Sequence, residues 1–87
     1  MTTEELCALF PVDDLGNNCD FEFDESIGKF VGHIINRQFR GLTIANRQEQ
    51  VWETIRHAFG EEASQVSLVL TFTPEEWDEV GDEAASA

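Results

Sequence analysis

The apolar period of the chain changes twice, and those changes restrict the fold more than any other feature. Cys19, Phe21 and Phe23 alternate with Asp20, Glu22 and Asp24. A period of two marks a strand with one face buried. Residues 24–28 then read as a hairpin loop and 30–35 as the returning strand. Val51, Ile55 and Phe59, with Trp52 beside them, fall instead at helical spacing, so one stripe faces a core. Val66, Leu68, Leu70 and Phe72 restore the period of two, with Ser67, Val69 and Thr71 on the other face. A strand–strand–helix–strand order predicts an α+β fold: a three-stranded sheet with helices packed on one face. At 87 residues there is room for one domain only, assigned to residues 1–82 with a frayed tail over 83–87.

The element ends carry local signals. Thr2-Thr3-Glu4-Glu5 reads as a capping box opening a short helix that Pro11 closes. Gly16-Asn17-Asn18 supplies turn chemistry. Asn46, with Glu49 three residues later, reads as the N-cap of the long helix, and Gly60 as its stop. Thr73-Pro74-Glu75-Glu76 opens a last helix anchored by Trp77 and Val80. Residues 61–64 are expected to add a short turn.

Charge sorts the chain into thirds. Eighteen acidic residues oppose five basic ones, a formal net charge of −13. Residues 1–26 carry −8 and residues 61–87 carry −8, without a base in either. Lys29, Arg37, Arg40, Arg47 and Arg56 all lie in the middle third, whose charge is +3. Such a balance disfavours phosphate backbones and favours a basic protein partner. The apolar runs are too short for a membrane span. With an acidic Met1-Thr2-Thr3-Glu4-Glu5 start, the expectation is a cytoplasmic protein, a monomer or weak homodimer.

Chemistry-bearing motifs are sparse. There is no phosphate loop, dinucleotide fingerprint, paired-His metalloprotease motif or nucleophile elbow, and the expectation is a non-enzyme. Cys7, Cys19, His33 and His57 are the soft ligands, at spacings that match no zinc pattern. Cys19 and His33, on neighbouring predicted strands, are the weak metal candidates. Two cysteines do not make a disulfide framework, so reduced thiols are expected.

One stretch carries a resemblance. In Gln38-Phe39-Arg40-Gly41-Leu42-Thr43-Ile44-Ala45-Asn46-Arg47, an aromatic, a Gly and a short apolar step lead to a polar–Arg pair opening a helix. Val51-Trp52 follows as an aliphatic–aromatic pair. The strand 67–72 then runs into Thr73-Pro74-Glu75-Glu76-Trp77. In order and spacing this resembles the BolA family over roughly residues 19–80. The resemblance implies an αββααβ arrangement related to the type II KH domain. It also implies an adaptor that pairs with a monothiol glutaredoxin to hold or move a [2Fe–2S] cluster, and in some members a transcription regulator. Phe39, Gly41 and Asn46 would shape the turn and helix start, and Arg37, Arg40 and Arg47 would meet the partner. Where the family has a histidine at the start of the final strand, this chain has Gln65, which is no substitute for imidazole as an iron ligand. The loop 24–29 holds neither His nor Cys. Two other functions fit the composition: an acidic decoy for a basic surface of a nucleic-acid-handling protein, and, ranked last, direct nucleic-acid binding through residues 38–47, which lack the second glycine of a GxxG loop.

Overall fold

The computed structural model describes the backbone of residues 1–86 and the side chains of residues 1–80. The tail expected over 83–87 therefore lies outside the described side chains, and Ala87 outside the described residues altogether.

Thr2 caps the first helix, α1 (Thr3–Cys7), its hydroxyl accepting from the Glu5 amide at 3.1 Å. Two strands follow, β1 (Asn18–Asp24) and β2 (Lys29–Ile35), paired antiparallel with Phe21 opposite Gly32 and Cys19 opposite Ile34. A 3-10 turn (Arg37–Phe39) is capped by Asn36, and α2 (Ile44–Phe59) crosses back. A second 3-10 segment (Gly60–Gln65) leads into β3 (Val66–Phe72), which joins β2 in parallel. The sheet order is β1-β2-β3, and α3 (Pro74–Ser86) closes the chain. The α+β class and three-stranded sheet read from the sequence are present; the sheet is mixed, because a helix rather than a hairpin connects β2 to β3.

The core lies between the sheet and the two N-terminal helices. Leu6 of α1, Val51 and Ile55 of α2, and Phe21, Phe30, Ile34 and Val69 of the strands are buried together. Gly32 belongs to this arrangement by close approach. A Cβ there would meet the Asp20 carbonyl and come within 2.5 Å of the Phe21 ring. Only a glycine leaves room there for the Asp20 carbonyl and the Phe21 ring.

Two expectations change. The long helix is capped by Thr43, not Asn46. The Thr43 hydroxyl accepts from the Asn46 amide at 3.1 Å, which puts Asn46 inside the first turn. Both residues suit a cap, and Glu49 made the later one look complete. In β3 the expected faces are exchanged beyond Val66. Phe30 pairs with Val66 but Val31 with Leu68, so an extra residue is inserted at Ser67. A bulge of one residue sends every later side chain to the opposite face. Val69 and Thr71 are therefore buried, while Leu68 and Leu70 are 51% and 48% exposed. The helices do not all share one face either. His33 points away from the core, and Trp77 of α3 stacks on its ring at 4.5 Å between centroids, so α3 starts over the face opposite α2.

Candidate interaction site

Three of the four arginines of the basic middle third are bound within the fold. Arg47 is the most enclosed, with its side chain 7% exposed. Its Nη1 donates to Glu76 Oε1 at 2.7 Å and its Nε to the Leu42 carbonyl at 3.2 Å. The guanidinium carbon lies 5.8 Å from the centroid of the Phe39 ring, within cation–π range. Expected at a partner contact, Arg47 instead ties α2 to α3, since burial leaves its guanidinium little surface to offer.

Glu76 is held by more than Arg47. Its Oε1 also accepts from the Thr73 amide at 2.7 Å, and the Thr73 hydroxyl accepts from the Glu76 amide at 3.2 Å. This is a complete capping box, as the Thr73-Pro74-Glu75-Glu76 stretch predicts. The Arg47 guanidinium, then the Thr73 amide, holds the Glu76 carboxyl below its ordinary value.

Arg40 and Arg37 repeat the pattern nearer the surface. Arg40 pairs with both carboxylate oxygens of Glu75, its Nε reaching Oε2 at 3.1 Å. Arg37 Nη2 donates to Asp13 Oδ2 at 3.2 Å. Asp13 also accepts from the Leu15 amide at 2.8 Å and from the Asn17 side chain at 3.1 Å, and these bonds, the Leu15 amide first, lower its pKa. The buried Asn17 accepts in turn from the Arg37 amide. Three central cations are thereby spent on acids from both flanks.

Phe39 is 4% exposed and packs in the core. Gly41 has φ +78°, a conformation that strains any side chain. The metal candidates do not converge. Cys19 faces the core side with its pairing partner Ile34, and His33, opposite Asp20, faces the other side. One ion cannot bind both. Gln65 is exposed. Among the described residues no three His, Cys, Asp or Glu side chains form a metal-binding group, and Gln65 and the loop 24–29 offer no imidazole or thiol where the resemblance implies cluster ligands.

What the sequence reading missed is the open face of the sheet. Asp20 and Glu22 of β1 stand opposite His33 and Val31 of β2, and Leu68 and Leu70 of β3 complete the row across the sheet. A groove of about 330 Å³ runs over these side chains. At one end His33, Phe72 and Trp77 form a closed aromatic group, with Phe72 and Trp77 5.3 Å apart. The face therefore grades from carboxylates on one edge strand to bare leucines on the other. The absence of charge from Val66 to Phe72 was its one signal in the sequence.

No family model, curated protein or solved structure matches the chain. Among the described residues no helix is long and apolar enough to cross a membrane.

Proposed function

We propose that the protein is a non-enzymatic, BolA-like adaptor that captures a protein partner on the open sheet face and contributes no ligand to an iron–sulfur cluster. The observation that carries this reading is the pair of half-exposed leucines, Leu68 and Leu70, set beside Val31 and bordered by Asp20 and Glu22. Exposed apolar surface rimmed by charge is what a protein-binding site needs. The carboxylate border selects a partner with an apolar centre and a basic rim. Support for the BolA-like type comes from the helix–strand–strand–helix–strand order and from Phe39 and Gly41 at the turn before α2. A monothiol glutaredoxin is the first partner to try.

The test is size-exclusion chromatography of the protein with a monothiol glutaredoxin, apo and cluster-loaded, while visible circular dichroism is recorded. Co-elution with both forms and an unchanged cluster spectrum is expected. Leu68→Ser with Leu70→Ser should abolish co-elution and leave thermal unfolding unaltered. Absence of co-elution with either form at low salt overturns the glutaredoxin assignment. A changed spectrum overturns the claim of no ligation.

A second reading, the acidic decoy, is favoured by the ion pairs. With Arg37, Arg40 and Arg47 each engaged by an acid of the chain, most of the other carboxylates among the described side chains face solvent without a cation. Such a complex would be held by charge, and about 0.5 M salt would dissociate it. A partner that stays bound through that range is not held this way. The same pairing removes the cations that nucleic-acid binding through residues 38–47 would use, and a gel shift at low salt would reinstate that role.

A further inference from the structure

We propose that Cys7 and Cys19 form a redox-modification site: a thiol pair that low-molecular-weight disulfides convert reversibly to an intrachain disulfide latching α1 to β1. The two sulfurs lie 2.7 Å apart, both half-buried. That separation is within an ångström of a disulfide bond, about 2.05 Å.

What the pair joins gives the modification an effect. Five residues of helix do not persist alone. Here Leu6 anchors α1 in the core, and Cys7, the next residue, faces Cys19 on an edge strand. A bond between them would fix the helix to the sheet at a second point.

The chemistry balances by thiol–disulfide exchange. Burial, and then hydrogen bonding with Cys7, pushes the Cys19 thiol well above its ordinary value, so the first attack falls to Cys7. Its thiolate attacks one sulfur of the external disulfide, expels the other as a thiolate and leaves a mixed disulfide. Cys19 then gives its proton to solvent, attacks Cys7 Sγ and expels the second thiolate. One external disulfide is reduced to two thiols, and two protein thiols become one internal disulfide.

The intact protein serves for the test, with oxidised glutathione as the probe. Equilibration should remove both reagent-accessible thiols and lower the mass by two hydrogens, with at most a tenth of the protein carrying glutathione. Cys19→Ser should retain one glutathionyl group instead, and Cys7→Ser should react at least tenfold more slowly. Hydrogen exchange should slow about tenfold or more at the Leu6 and Ala8 amides, which donate to Thr2 and Glu4, while Val51 and Ile55 stay unchanged. Two thiols left free, stable glutathionylation of the wild type, disulfide-linked dimers, or exchange unaltered by oxidation would each overturn the proposal.

Discussion

Replacing Arg47 with methionine separates an internal brace from a partner contact. Methionine keeps the length and the apolar stem, so little volume is lost, and what goes is the guanidinium. Three interactions go with it: the bond to Glu76, the bond to the Leu42 carbonyl and the contact with the Phe39 ring. Glu76 is 44% exposed and regains water, so its bond counts at the surface-pair level of about 1 kcal/mol or less. The Leu42 bond involves a buried cation and counts for more. The ring contact adds about 0.5–1 kcal/mol. Arg47→Met should therefore cost about 2–3 kcal/mol, or about 10–20 °C in Tm for a chain this size. Urea titration followed by Trp fluorescence reads it directly, because Trp52 and Trp77 lie on the two braced helices. A double-mutant cycle with Glu76→Gln should return a coupling of about 1 kcal/mol. A loss under about 0.5 kcal/mol, or full stability with partner binding abolished, would refute the brace and restore Arg47 to an interface.

Three further outcomes follow from the same contacts. Thr71 is buried with its Oγ1 unpaired, so Thr71→Val should be neutral or stabilising by up to about 1 kcal/mol in chemical denaturation. Gly32→Ala should destabilise by about 3 kcal/mol or more, since the obstructing atom is the Asp20 backbone carbonyl and no rotamer relieves it; a variant as stable as wild type would mean that β1 and β2 shift freely. The Glu76 carboxyl titrates below its ordinary value of 4.5 when folded. Its stabilisation is thus present above about 4.5 and lost as pH falls through the lower folded value. Glu76→Gln should flatten the acid limb of a stability–pH curve and leave its slope above pH 6 unchanged.

Local signals were legible in the sequence and long-range ones were not. The boxes at Thr2 and Thr73 each lie within four residues; the one at Thr73 forms completely, and at Thr2 the bond from the Glu5 amide to the hydroxyl forms. The cap of α2 slipped by three residues because Thr43 and Asn46 satisfy the same chemistry. The face of β3 was misread because alternation assumes an unbroken register, and one inserted residue at Ser67 reverses it. Nothing in the arginines' own neighbourhoods points to Asp13, Glu75 or Glu76, which lie 24, 35 and 29 residues away. Charge arithmetic located a basic centre between acidic flanks but could not show that the centre binds the flanks. The meeting of Cys7 with Cys19 depends on α1 packing against β1, and their spacing of 12 left pairing open.

The position of β3 at the sheet's border also bears on how the protein stays dispersed. A border strand offers unpaired amides and carbonyls to any extended chain. The other border, β1, carries Asp20, Glu22 and Asp24, whereas Val66–Phe72 has no charge at all and two exposed leucines. Repulsion between whole molecules is left to keep such strands apart. Glu61 and Glu62 before the strand stand as gatekeepers. Repulsion between whole molecules lapses where the net charge vanishes. Near the sequence pI of 4.1, light scattering should rise as copies join border to border into cross-β stacks, and Leu70→Lys should keep them apart.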